Sequence, residues 1–154
     1  MFVLSILACL GLSCRAKADE NNAISIQTKM RYDAKLGYVA RFEIRNVGAE
    51  AVVLPISDLP WRTLNRLKLV AIPLSYDEPR TPILPIEDPI VAFQNIPAGQ
   101  SIEGELVLGL RFDRFRQLLL KSDIALFWSI QLVGVGNSEP FDRASGVLIL
   151  PKLR

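Results

Sequence analysis

The sequence predicts a mainly β domain, an antiparallel immunoglobulin-like β-sandwich with one short crossover helix. Three observations support this fold class. Short segments with the period-two alternation or the apolar character of strands follow one another, separated by turn signals. A single segment shows the three- and four-residue spacing of a helix face. No internal repeat interrupts this pattern, and a β-barrel is the alternative that it leaves open.

The first strands are expected in the N-terminal half of the chain. Ile24–Met30 alternates weakly and is predicted to pair, across a turn at Asp33–Lys35, with the clearest strand, Gly37–Val47. The even positions of that strand from 38 to 44 are apolar and three of its odd positions are charged, which indicates one buried face and one wet face. The next strands are predicted over Ala51–Leu54 and Leu67–Leu74.

A long irregular loop is predicted after these strands. Five prolines lie from Pro73 to Pro89. Because each proline lacks a backbone donor, neither a regular helix nor a central strand can form there. Loops of this length in a compact domain are often functional. A shorter turn before the loop, Asp58–Arg62, carries the large aromatic side chain of Trp61.

The C-terminal half contains the predicted helix and the remaining strands. Phe112–Lys121 has apolar residues at helical spacing, and Asp113 is its predicted N-cap. Asp123–Val133 is apolar on both faces, which is typical of a central strand that is covered on both sides. Further strands are predicted over Ile90–Gln94, Ser101–Leu110 and Gly146–Leu150.

The N-terminal segment is predicted to be an export signal. Phe2–Cys14 is an uncharged, apolar run, too short to cross a bilayer as a helix. Ala16-Lys17-Ala18 matches the small-x-small pattern of a signal peptidase site. We therefore expect residues 1–18 to be a signal peptide and residues 19–154 to form a single β-sandwich domain in an extracytoplasmic, periplasmic location.

Cys14 offers a second processing route. The segment Leu10–Cys14 loosely resembles a bacterial lipobox, because a small residue precedes the cysteine. Gly11 stands where a leucine is usual, so the match is partial. Lipidation at Cys14 would attach the domain to a membrane, which is the only membrane contact expected. Both routes lead out of the cytoplasm.

The composition of the domain after Ala18 excludes several classes of partner and chemistry. Removing Arg15 and Lys17 with the signal leaves 16 basic and 16 acidic side chains, so no net charge attracts a nucleic acid. The chain has no histidine, and both cysteines lie within the signal. Sites of the Ser–His–Asp or Cys–His type and ordinary zinc or copper sites therefore cannot form. We expect no catalytic residue, no cofactor and no metal.

Carboxylate chemistry is the enzymatic alternative. Glu103 and Glu105 share one strand face, about 7 Å apart by strand geometry, which is compatible with an inverting glycosidase pair. Glutamates that alternate with inward hydrophobic residues are more typical of the solvated face of a sheet. The pattern therefore favours a structural role for both residues.

Two groups of residues are candidates for binding. Large apolar side chains in loops and turns either cover the end of the sandwich or contact a partner. Arginines around the predicted helix either contact an anion or form a solvated face. The predicted partner-binding residues are Trp61, Tyr76, Ile83, Leu84 and Ile86, and the predicted anion contacts are Arg111 and Arg114.

These observations favour a non-catalytic interaction module of the bacterial cell envelope that binds a protein partner. One alternative is an envelope glycan hydrolase that uses the paired carboxylates. Another is a periplasmic inhibitor or chaperone that presents an edge strand to a client protein.

Overall fold

A computed structural model describes residues 23–75, 78–83, 91–136 and 139–153. This part of the chain forms strands, two 3₁₀ turns at Ile56–Asp58 and Leu108–Leu110, and one α-helix. The strands are β1 (Ile24–Asp33), β2 (Gly37–Asn46), β3 (Val52–Pro55), β4 (Leu67–Pro73), β5 (Phe93–Ile96), β6 (Ser101–Val107), β7 (Ile124–Ile130) and β8 (Ala144–Leu150), and the helix is α1 (Phe115–Lys121).

The strands form two three-stranded antiparallel sheets and a small ribbon. Sheet 1 has the order β1-β2-β6, sheet 2 has the order β4-β7-β8, and β3 pairs with β5 in the ribbon. Apart from the ribbon, the six strands follow one another as A, B, C, E, F and G do in an immunoglobulin sandwich, where A, B and E share one sheet and C, F and G the other. Helix α1 carries the chain from sheet 1 to sheet 2. The predicted fold class, including the crossover helix, is confirmed.

The inner faces of the two sheets meet in one hydrophobic core. Phe42 of β2 and Trp128 of β7 contact each other edge to face, with ring centroids 5.9 Å apart and ring planes at 89°. These strands are the pair that a disulfide joins in antibody domains. Both cysteines of this chain lie before residue 15, so aromatic packing links the two sheets at this point.

The polar side chain of Asn46 is buried at the end of β2. Its Nδ2 donates to the carbonyl oxygens of Glu50 (2.7 Å) and Ile96 (2.9 Å), and its Oδ1 accepts from the backbone N–H of Gly48 (2.9 Å). A buried amide without hydrogen-bond partners would destabilise the fold. These bonds satisfy the Asn46 amide and connect the turn after β2 to the ribbon.

The segment from β6 to α1 differs from the sequence-based prediction. Strand β6 ends at Val107, and the 3₁₀ turn that follows breaks the alternation, so Leu110 is 78% exposed instead of pointing inward. Helix α1 begins at Phe115, and its N-cap is Arg114 in the left-handed region (φ 51°), with no side-chain capping bond. The prediction that Asp113 caps the helix is therefore wrong. Strand β5 also begins later than predicted, at Phe93.

Candidate functional site

The outer face of sheet 2 presents apolar side chains to solvent. The strand register aligns these side chains in cross-strand rows, because residues opposite one another on the three strands share a face. We call two of these rows together the apolar face. The rows are Ile72–Ala125–Ile149 and Val70–Phe127–Val147, and a polar row, Lys68–Ser129–Ser145, lies beside them.

Three large side chains of the apolar face are substantially exposed. Phe127 is 41% exposed, Val147 45% and Ile149 58%. The prediction that β7 is covered on both sides is therefore wrong at Phe127, although β7 is the central strand of its sheet. Apolar side chains in this arrangement, instead of single scattered ones, are typical of a contact surface.

A shallow concavity of about 330 Å³ lies where the apolar face meets the polar row. Gly146 of β8 and Trp128 of β7 both line it, and a side chain at Gly146 would collide with the indole, because a Cβ would lie 2.8 Å from its Nε1. The concavity is also lined by Lys68, Val70, Phe127, Ser129, Ser145 and Val147.

Strand β8 forms one edge of sheet 2. Among the described residues it pairs with β7 alone. Val147 and Ile149 lie on this edge strand, so the apolar face continues up to a row of backbone donors and acceptors that joins no further strand within the described ranges. Such an edge can pair with an added strand.

The outer face of sheet 1 is charged. Arg31 of β1 makes two hydrogen bonds to the Glu105 carboxylate, at 2.9 and 3.2 Å, and a third to Asp33 at 3.1 Å. Arg41 of β2 pairs with Glu103. Each of the two glutamates considered for glycan hydrolysis thus has an arginine partner on an open face.

The electrostatics of Glu105 do not suit a glycosidase acid. The hydrogen bonds from Arg31 lower the pKa of the Glu105 carboxyl below its ordinary value. A general acid in a glycosidase needs a raised pKa, so that it holds its proton at neutral pH. The geometry around Glu103 and Glu105 therefore favours ion pairing on a solvated sheet.

Trp61 packs inside the sandwich against sheet 1. Its indole lies on Gly104 of β6 so closely that a Cβ there would be 2.0 Å from the indole Cδ2. The side chain is partly buried against the core. Trp61 therefore packs against the core, in keeping with the structural alternative that its sequence context left open.

Three of the other predicted binding residues, Ile83, Arg111 and Arg114, lie among the described residues, and the first two are in contact. The backbone N–H of Ile83, which is 57% exposed, donates to the carbonyl oxygen of Arg111 at 2.7 Å. The guanidinium of Arg111 reaches the carbonyl oxygen of Arg62 at 3.5 Å, whereas that of Arg114 lies 3.7 Å from the Asp113 carboxylate. The remaining predicted site residues, Cys14, Tyr76, Leu84 and Ile86, lie outside the described residues.

Ile83 and Arg114 border one concavity, of about 410 Å³, between residues 79–83 of the proline-rich loop and α1. Arg80 and Lys121 also line it, together with Asp113. The pairing of Arg114 with Asp113 partly neutralises this cluster.

A second apolar concavity, of about 290 Å³, lies at the end of sheet 1 beside α1, and we call it the end pocket. No local sequence pattern predicts this pocket, because its walls come from distant parts of the chain. Its lining residues are Tyr32, Ala34, Lys35, Leu36, Gly37, Tyr38, Val107, Gly109, Leu110, Phe115, Arg116, Leu119 and Leu153.

No protein-family model and no curated protein matches the chain. Among solved structures, the crystal structure of the GAE domain of GGA2p from Saccharomyces cerevisiae is similar over 92% of this chain and 99% of that chain. The sequence identity is 13% and the TM-score is 0.33. The strand order of this chain itself establishes the sandwich.

No helix in the described ranges combines the length and apolar character needed to cross a membrane. Within the same ranges, no group of three or more potential ligand side chains lies close enough to hold a metal ion.

Proposed function

We propose that the protein is an exported, non-catalytic interaction module of the bacterial cell envelope, and that it binds a protein partner through the apolar face and the neighbouring edge of β8. The observation that carries the proposal is the exposure of Phe127, Val147 and Ile149 in adjacent cross-strand rows. The apolar run Phe2–Cys14, followed by Ala16-Lys17-Ala18, supports export.

The size of the apolar face indicates what kind of partner would bind. Full burial of one such side chain contributes roughly 1.5–3 kcal/mol. Since the three are about half exposed, covering them would contribute roughly 2–4 kcal/mol. A micromolar complex requires about 8 kcal/mol, so the partner must make further contacts.

The edge of β8 supplies contacts of the required kind. An extended segment that pairs with β8 would satisfy the open backbone groups of this edge. Its alternate side chains would fall on the outer side, next to Val147 and Ile149. We therefore propose an extended, apolar-alternating protein segment as the partner.

Site-specific photo-cross-linking in the organism that makes the protein tests this proposal. A photoreactive amino acid at Val147 is expected to cross-link one partner protein, and mass spectrometry of the product should locate the contact in an extended segment. The same probe at Lys29, which lies on the outer face of sheet 1, is the matched control and is expected to give no such product.

Two substitutions complete the test. Phe127→Lys combined with Ile149→Lys should abolish the product at position 147, because two charges would be desolvated at the contact. Thermal unfolding should confirm that the variant is folded. Equal cross-linking at positions 147 and 29, or a product that persists in the folded double-lysine variant, would refute the proposal.

The proline-rich loop remains a second predicted contact. Ile83, which lies within this loop, is exposed, and replacing Ile83-Leu84-Pro85-Ile86 with Gly and Ser tests the contact. Loss of the cross-link with an unchanged melting temperature would add the loop to the contact surface, whereas a large loss of stability would assign the segment to the core.

A further inference from the structure

The topology of sheet 1 creates the end pocket. Strands β1 and β2 form a hairpin that turns at residues 34–36, and β6 runs antiparallel to β2 with Val107 opposite Val39. The end of β6 therefore lies beside the hairpin turn. The 3₁₀ turn at Leu108–Leu110 and helix α1 follow β6 in the chain. The pocket therefore lies between these two elements and the hairpin.

The C-terminal segment closes another side of the pocket. The backbone N–H of Leu153 donates to the carbonyl oxygen of Leu119 in α1 at 2.8 Å. The hydroxyl of Tyr38 donates to the carbonyl oxygen of Pro151 at 2.7 Å. These bonds hold the pocket between three separate parts of the chain, so its walls are fixed by the fold.

The pocket has an apolar lining with large side chains left open to solvent. Tyr32 is 53% exposed, Leu36 48% and Leu110 78%. Phe115 and Leu119 of α1 are buried behind them. Pockets of about 300 Å³ and above that combine an apolar lining with a few polar groups are typical of small-molecule sites.

The charged groups of the pocket are both cationic. Lys35 and Arg116 line it, and no carboxylate is among the described residues that do so. Neither cation forms an ion pair within the part of the chain that the structure describes. By contrast, Arg31 and Arg41 on the neighbouring sheet face each have a glutamate partner.

We propose that the end pocket binds a medium-chain fatty acid. The carboxylate would lie at Lys35 and Arg116, and the alkyl chain would cover Leu36, Leu110 and the ring of Tyr32. A single anionic group with an apolar chain matches both the lining and the two cations, which have no ion-pair partner among the described residues. The small volume favours a medium chain over a long one. This site is separate from the apolar face of sheet 2 and does not depend on the proposed partner.

Isothermal titration calorimetry of the purified protein with sodium decanoate, below the concentration at which decanoate forms micelles, tests this proposal. One molecule is expected to bind per chain. The Lys35→Met/Arg116→Met variant should bind decanoate about tenfold more weakly, since it loses two solvent-exposed charge contacts. Its affinity for decanol, which has the same chain without the carboxylate, should stay unchanged.

Two further variants separate this site from others. Leu110→Ser should weaken both ligands, because Leu110 is exposed at the pocket and its replacement removes apolar contact area. Lys68→Met/Phe127→Ser, on sheet 2, should bind decanoate as the unmodified protein does. Absence of saturable binding, an unchanged decanoate affinity in Lys35→Met/Arg116→Met, or a loss in the sheet 2 variant would each overturn the proposal.

Discussion

The two sheets of the sandwich have similar inner faces and opposite outer faces. The inner faces of both contribute large buried side chains to one core, and Phe42 of sheet 1 touches Trp128 of sheet 2. On the outside, sheet 1 carries ion pairs such as Arg31–Glu105, whereas sheet 2 carries Phe127 and Val147. Folding explains the inner faces, but it does not require the difference between the outer ones.

The outer face of sheet 2 is therefore the surface whose exposed apolar side chains are not explained by folding. A sheet face meant only for water is expected to be polar, as in sheet 1. Exposed apolar rows beside an open edge risk unwanted association, which proteins normally prevent with charges on the edge. Val147 and Ile149 occupy outward positions on β8, where charged side chains would oppose such association. Their presence supports a bound partner.

The largest effect is expected from a comparison of two phenylalanines. Phe42→Ala should lower the free energy of unfolding by about 3–5 kcal/mol, because the ring is buried and leaves a cavity at the junction of the sheets. Phe127→Ala should lower it by about 1 kcal/mol, because the ring is 41% exposed. Urea denaturation measures both. Similar losses for the two variants would show that Phe127 serves folding instead of binding.

A smaller difference is expected between the two glycines that face tryptophan rings. Gly104→Ala would place a methyl group 2.0–2.4 Å from three atoms of Trp61 and should cost about 2–3 kcal/mol. Gly146→Ala would place it 2.8–3.1 Å from three atoms of Trp128, at a cost of about 1 kcal/mol.

Gly109 provides the control for this comparison. A Cβ there would meet only the carbonyl oxygen of Leu36, at 3.9 Å, so Gly109→Ala should change stability by less than about 0.5 kcal/mol. Thermal and urea unfolding report on all three variants. If Gly104→Ala proved neutral, Trp61 would have to be able to leave its place over β6, and its packing against the core would be lost.

Local signals made the β1–β2 hairpin predictable from the sequence. Asp33 accepts hydrogen bonds from the backbone N–H groups of Lys35 and Leu36, and Gly37 has a φ of +76°, which favours glycine. Both residues predict a turn, and they lie within a few positions of each other. The alternation of β2 likewise identified its wet face correctly at Arg41.

The two proposed binding surfaces could not be predicted from the sequence because they depend on tertiary structure. An apolar residue on the second face of β7 looks the same in sequence whether its own chain or another molecule covers it, so Phe127 was wrongly assigned to a covered face. Lys35 and Arg116 are distant in sequence and line one pocket only because β6, paired with β2, leads into α1. No local pattern marks either feature.

The smallest effect is expected from the electrostatics of sheet 1. Hydrogen bonds from Arg31 lower the pKa of Glu105, and hydrogen bonds from the backbone of Leu36 and Lys35, together with one from Arg31, lower that of Asp33. A carboxyl whose pKa is lower in the folded state stabilises the fold above its unfolded pKa, and this contribution is lost as the pH falls through the folded value. Stability should therefore decline modestly from about pH 5 to pH 3.

Arg31→Met should make this decline shallower, because Glu105 loses the partner that lowers its pKa. It should not abolish the decline, since Asp33 keeps its backbone hydrogen bonds. Both carboxyls are exposed, so added salt should reduce the difference between the variant and the unmodified protein.

Lys68→Met, on the outer face of sheet 2, is the matched control and should leave the pH profile unchanged. Urea unfolding at several pH values, at low and high salt, measures these profiles. If stability declined equally with falling pH in Arg31→Met and in the unmodified protein, the ion pairs of sheet 1 would contribute no more to stability than uncharged side chains would. The two outer faces would then differ in solubility alone.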